Sequence, residues 1–100
     1  MSSSLRWLPE AVRDLTRVRD FIQMHNPEAA ARAARRIFAS VRKLLQHPFL
    51  GRPVTDIDRP TCRDLFIPFG QAGYCVRYTV TADAIIIVRI WHTREKRSTS

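Results

Sequence analysis

The chain has 100 residues, 45% of them hydrophobic, and carries 17 Lys and Arg against 9 Asp and Glu, a net charge of +8. That length holds one domain around one two-layer core and excludes a second domain. The charge favours an anionic partner (nucleic acid, an acidic protein or an anionic membrane surface) without choosing among them.

The longest purely apolar run, Ala84 to Val88, is far short of a membrane span. The opening Met1-Ser-Ser-Ser-Leu-Arg-Trp has no apolar signal core, so a cytoplasmic location with no membrane partner is expected. Two cysteines, Cys62 and Cys75, are too few for a disulfide scaffold or a zinc site. A turn centred on Gln71-Ala72 would set Cys75 opposite Pro68 and leave Cys62 roughly 20 Å away, too far to bridge. No metal-ligand spacing, phosphate-cradling glycine loop or nucleophile–base signature occurs, and neither a cofactor nor a metal is expected.

In chain order, Ser3 to Trp7 is a short first strand. Pro9 suits the first turn of a helix, in which Ala11, Leu15, Val18 and Ile22 recur at helical spacing with Phe21 beside them. Arg13, Asp14, Arg17 and Asp20 fall largely on its other side, and the helix ends near His25. Asn26-Pro27-Glu28 restarts a helix: Asn caps, Pro fits the first position and Glu faces the positive end of the dipole. This second helix aligns Ala30, Ala34, Ile37, Val41 and Leu44, widened by Phe38 and Leu45. Its outer face is basic, with Arg32, Arg35, Arg36, Arg42 and Lys43, and reads as a solvated face before a DNA-contacting one. His25 and His47 lie at helix ends, as capping or dipole-complementing groups. The short link makes the two helices an antiparallel hairpin.

Phe49 to Pro60 is a connector. Three strands follow: Arg63 to Phe69, with Pro68 marking an edge or bulge; Tyr74 to Val80; and Ala84 to His92. Gly70 to Gly73 and Thr81-Ala82-Asp83 form the turns, and a polar tail from about Thr93 is expected to fray. A three-residue last loop sets Val80 opposite Ala84, Tyr78 opposite Ile86 and Val76 opposite Val88, facing the helices. The other face then carries Arg77, Arg89, Ile85, Ile87 and Trp91. Arginines mixed with bulky apolar groups on one sheet face read as a contact surface. The fold expected is α+β: an N-terminal strand and a two-helix antiparallel hairpin packed on a mainly antiparallel sheet with three C-terminal strands.

This element order resembles the RelE/ParE superfamily of toxins. The local matches are Ala11-Val-Arg-Asp-Leu, Asn26-Pro-Glu-Ala-Ala, His47-Pro-Phe-Leu-Gly-Arg-Pro, Arg63-Asp-Leu, Tyr74-Cys-Val-Arg-Tyr and Ile87-Val-Arg-Ile-Trp-His. The resemblance implies the toxin of a type II toxin–antitoxin pair with a small acidic antitoxin. In the superfamily, RelE-like members cleave messenger RNA in the ribosome, whereas ParE-like members, linked with plasmid stabilization, poison DNA gyrase. Metal-free RNA cleavage needs groups that activate the 2′-hydroxyl, stabilise the phosphorane and protonate the leaving oxygen. RelE-like members use strand lysines, a strand arginine, and an arginine and a tyrosine near the C-terminus.

By register from the shared Gly73-Tyr74, the lysine positions correspond to Phe66 and Pro68 and the strand arginine to Cys75. Arg94 matches the C-terminal arginine, and no tyrosine follows it. Phe and Pro neither carry charge nor transfer protons. The resemblance therefore points to the ParE branch, a gyrase inhibitor with no catalytic residue. The alternatives are a ribosome-dependent endonuclease using His92, Arg94, Arg77 and Arg89, or a toxin-fold binding module without target activity. Arg77, Arg89, His92 and Arg94 are the expected target-binding residues, and Ile85, Ile87 and Trp91 the antitoxin-binding ones.

Each has a plainer alternative. Arg77 and Arg89 can pair with Asp64 or Asp83. Trp91 can belong to the core at the sheet edge. His92, able to act as acid or base, can be a strand-end histidine bonded to the main chain; no carboxylate partner for it is apparent, which favours this second reading.

Overall fold

The computed structural model describes residues 4–24, 26–55 and 61–95. Ser3, His25, Pro60 and the end of the tail lie outside the described residues. The elements are β1 (Ser4–Trp7), α1 (Pro9–Gln23), α2 (Pro27–Lys43), β2 (Arg52–Pro53), β3 (Cys62–Phe69), β4 (Ala72–Val80) and β5 (Ala84–His92). The strands form one five-stranded sheet in the order β1-β5-β4-β3-β2. β1 joins β5 in parallel, and the other pairings are antiparallel. The two helices pack on one face of this sheet, giving the expected α+β fold. The two-residue β2, absent from the sequence reading, covers β3 only at Arg63 and Asp64.

The helix starts follow their residues. Pro9 opens α1 where a missing N–H costs nothing. Asn26 caps α2 by accepting a hydrogen bond from the Ala29 N–H at 3.1 Å. Glu28 in the first turn and Arg42 and Lys43 in the last complement the dipole of α2. Ala11 and Val18 of α1 and Ala33, Ile37, Val41 and Leu44 on or just after α2 meet Leu65, Ile67, Tyr74, Val76 and Tyr78 of the sheet. Ala33 is more deeply buried than Ala34. Phe21 and Phe38, expected at the core, are exposed; Phe38 instead packs on Trp7, with ring centroids 5.6 Å apart.

Both hairpins are tighter than the sequence suggests. Phe69 pairs with Ala72, so the turn is Gly70-Gln71, and Gly70 takes the positive φ (63°) that glycine adopts without strain. Phe66 therefore faces Cys75, and Cys62 faces Thr79. Both thiols are free. Gly73, opposite Pro68, lies beneath the Phe66 ring, where an added Cβ would sit 2.7 Å from ring carbons.

In the last hairpin Val80 pairs with Ile85 and Tyr78 with Ile87. The loop is Ala82-Asp83, closed by the Thr81 N–H on the Ala84 carbonyl at 2.9 Å. A one-residue slip moves every side chain to the other face. Ile85 and Ile87, expected on the open face, are thus fully buried against the helices. Between Tyr78 and Arg77 the register shifts, leaving Val88 as the extra residue of a β-bulge, so Arg77 faces Arg89, Val76 faces Ile90 and Cys75 faces Trp91. The bulge reverses the parity again, and it restores Trp91 to the side away from the core.

One buried hydroxyl joins the connector after α2 to the sheet. Tyr78 donates to the Pro48 carbonyl and accepts the Gly51 N–H, both at 2.8 Å. Arg63 adds a bond to the Gly51 carbonyl at 2.7 Å. Removing the hydroxyl leaves the Gly51 N–H unpaired in a buried place. Tyr78→Phe is expected to lose about 1–3 kcal/mol in urea unfolding with little change in the denaturant slope.

Candidate functional site

The face of the sheet away from the helices carries Asp64, Phe66, Cys75, Arg77 and Trp91. Arg77 donates to both Asp64 oxygens, Nε at 2.9 Å and Nη2 at 3.0 Å. Its guanidinium lies 5.2 Å from the centroid of the Trp91 ring. A fork-to-fork pair stacked on an indole is a fixed arrangement, and the Arg77 side chain is only 13% exposed. Phe66 stands beside it, 56% exposed. A recess of about 520 Å³ opens here, lined by Arg52, Thr55, Asp64, Phe66 and Cys75 among others. Pro68 offers its carbonyl to Arg36 Nη1 at 3.0 Å.

Arg89 faces Arg77 across the β4–β5 ladder, an unfavourable pairing of like charges. The structure resolves it by giving each arginine its own aspartate. Arg89 turns to Asp14 of α1, with Nε to Oδ2 at 2.6 Å and Nη2 to Oδ1 at 3.2 Å. Asp14, placed on the outer side of α1 by sequence, is buried, with only 2% exposed. It follows Ala11 by three residues and precedes Val18 by four, which puts it on the inner stripe.

Asp14 also accepts the Ile90 N–H at 2.9 Å, and Arg17 Nη2 donates to the Ile90 carbonyl at 3.2 Å. β1 pairs with β5 only from Ala84 to Ile87. Beyond that point two side chains of α1 supply the partners that a longer β1 would have given to the edge of β5. Arg17 links Asp14 (Nη1 to Oδ1, 2.6 Å) to Glu95 (Nε to Oε1, 2.9 Å).

Burial alone would raise the Asp14 carboxyl; hydrogen bonds from Arg89, Ile90 N–H and Arg17 outweigh it and hold the group below its ordinary range. Glu95 is likewise held low, its burial outweighed by bonds from Arg17 and the His92 N–H. The same contacts raise Arg89 and Arg17, chiefly through Asp14 and Glu95 respectively. Burial pushes the Tyr74 phenol up.

The expected site residues therefore separate. Arg77 and Trp91 share the open face. Arg89 is engaged at Asp14, not at Asp83. His92 packs edge-on against Tyr74, centroids 5.3 Å apart, with Phe21 at 6.5 Å. Its Nδ1 accepts the Arg94 N–H at 3.0 Å, so the ring is bonded to the main chain. Arg94 is exposed. His47 is exposed just past α2, and its N–H bonds the Lys43 carbonyl at 2.9 Å. Asp14, Arg17 and Glu95 were not singled out from sequence; a carboxylate within the apolar stripe of α1 was the available signal. Among the described residues no group of three or more His, Cys, Asp or Glu gathers to hold a metal, and no helix is long and apolar enough to cross a membrane.

Asp14→Ala leaves two guanidiniums and a strand N–H without their shared acceptor, and about 3 kcal/mol of destabilisation is expected. Because both carboxyls are lowered on folding, their contribution is full above the unfolded range, near about pH 4, and is lost as pH falls through the folded values. Melts of the wild type should steepen in their pH dependence below about pH 4, and those of Asp14→Asn should be flatter there.

Residues 5–97 match the family model described as ParE toxin of type II toxin-antitoxin system, parDE. Among curated proteins, Toxin RelE3 of Caulobacter vibrioides is 39% identical over 89% of this chain and 92% of its own length. Toxin RelE1 of the same organism is 37% identical over 87% of this chain and 89% of its own. A solved structure titled as the chromosomal ParDE TA system from P. aeruginosa superposes with a TM-score of 0.75 at 28% identity, covering 89% of this chain and 94% of that one. The chain belongs to the ParE toxin family of type II toxin–antitoxin systems.

Proposed function

We propose that the chain acts as a ParE-like toxin that inhibits DNA gyrase by binding, without turnover of its own. One observation carries this reading. The open sheet face presents Phe66, Pro68 and Cys75 at the positions where the resemblance puts the lysines and arginine of RNA-cleaving members, and its own arginine, Arg77, is already held by Asp64 on both arms. Phe and Pro cannot move protons. A guanidinium fixed in a bidentate pair and stacked on Trp91 is suited to docking. Such a target implies a cytoplasmic site of action, and a role in plasmid stabilization where the pair is plasmid-borne.

The target contacts proposed are Arg94, exposed after β5, with Arg77, Arg89 and His92 supporting that end of the sheet. The partner proposed is a small acidic antitoxin. Two features favour it: the net charge of +8, which speeds association with an acidic protein, and the likeness to a structure titled as a ParDE system. Trp91 remains an anchor for it. Ile85 and Ile87 do not, since both are fully buried.

The name RelE borne by two relatives favours a second reading, a ribosome-dependent endonuclease. The arrangement of the four residues it would use speaks against it: Arg77 and Arg89 are tied to separate aspartates, and the His92 Nδ1 is occupied. Purified protein in excess is expected to inhibit gyrase supercoiling and to trap cleaved DNA. Arg94→Ala should weaken inhibition by about tenfold, as for an interface arginine worth more than 1 kcal/mol. Codon-positioned cuts in translated messages that vanish in His92→Ala would reverse the ranking.

A further inference from the structure

The segment after β5, which by composition should fray, is a closed turn. Its three N–H groups all have partners: Thr93 to the Gly73 carbonyl at 2.9 Å, Arg94 to His92 Nδ1 at 3.0 Å, and Glu95 to the His92 carbonyl at 2.9 Å. The Glu95 side chain then folds back to accept the His92 N–H through Oε2. Arg17 of α1 grips the same carboxylate with two nitrogens, Nε on Oε1 at 2.9 Å and Nη2 on Oε2 at 3.3 Å.

We propose that Arg17 and Glu95 form a clasp that fixes the turn Thr93–Glu95 and so aims the exposed Arg94 side chain at the toxin's target. The two are positioning residues, and the inference rests on the toxin reading above. Its physical basis is pre-organisation. A guanidinium on a loose terminus loses rotational and backbone freedom when it docks, whereas one on a bonded turn has lost it beforehand.

The clasp is poorly explained as a device for global stability. Its side chains are 45% and 29% exposed, and exposed ion pairs contribute little to folding. It sits at the end of β5, far along the sequence from α1, its partners 78 positions apart. Through Glu95 it holds the turn that carries Arg94 to the end of β5 and to α1. Glu95 offers the clean perturbation, because Arg17 also serves Asp14.

The test pairs amide exchange with growth arrest. Glu95→Ala and Arg17→Met are compared with the wild type and with the conservative Arg17→Lys, which keeps a cation but not the fork. Amide exchange of His92, Arg94 and Glu95 is followed by NMR, melting by calorimetry, and growth arrest in cells producing each variant at matched levels without an antitoxin. Glu95→Ala is expected to speed exchange of these amides and to weaken arrest, each by about tenfold, while melting within a few degrees of the wild type. Arg17→Lys should fall between Arg17→Met and the wild type in both, a single ammonium replacing a two-nitrogen grip, and the Arg17→Met, Glu95→Ala double variant should be no worse at arrest than the poorer single variant. Protected amides in Glu95→Ala, or undiminished arrest with a loosened turn, would overturn the clasp and leave the toxin reading intact. A wild-type chain that arrests nothing would overturn the toxin reading, and the clasp's role with it.

Discussion

The carboxylate of Asp14 is the point on which the edge of this sheet depends. β1 stops pairing with β5 at Ile87, and a strand edge left bare in a half-buried place must find other partners for its N–H and C=O groups. Asp14 takes the Ile90 N–H, and Arg17, itself held by Asp14, takes the Ile90 carbonyl. The first helix thus continues, with side chains, the hydrogen bonding that the first strand begins. A buried carboxylate is tolerable there because it accepts from two guanidiniums and a backbone amide at once. Among the described residues, no buried side-chain polar atom is left without a partner.

The same carboxylate allows two arginines to stand opposite each other. The bulge at Val88 sets Arg89 across from Arg77. Each is drawn away by its own aspartate, one toward the helices and one across the open face. Charge is displayed at the surface, but it is compensated and rigid. That combination suits recognition of a large partner more than transfer of protons, which requires groups whose protonation can change during the reaction. The chain belongs to the ParE toxin family, and two of its relatives bear the name RelE.

Rigidity extends to both ends of the site. Tyr78 ties the connector after α2 to the middle of the sheet through Pro48 and Gly51, and Glu95 ties the segment after β5 to α1. In a domain of this size, where buried apolar area is limited, such polar ties supply definition that the core alone does not.

The sequence by itself determined the order of the elements other than β2, both helix starts, the presence of the two hairpins and the family. These follow from signals confined to a few neighbouring residues: Pro9, Asn26-Pro27, Pro48, the glycines around residue 70 and the apolar strand runs. It also placed Arg77 and Trp91 together on the open face and offered Asp64 as the partner of Arg77. Tertiary structure alone decided the rest. Which isoleucines of β5 face the core turns on a one-residue difference in loop length and on a bulge, and the strand's composition, apolar on both parities, does not distinguish the registers. The partner of Arg89 is Asp14, 75 residues away in sequence, and the carboxylate of Glu95 is held by Arg17 of α1. Contacts at that separation are made by the packing of α1 against β5, and no local pattern encodes them.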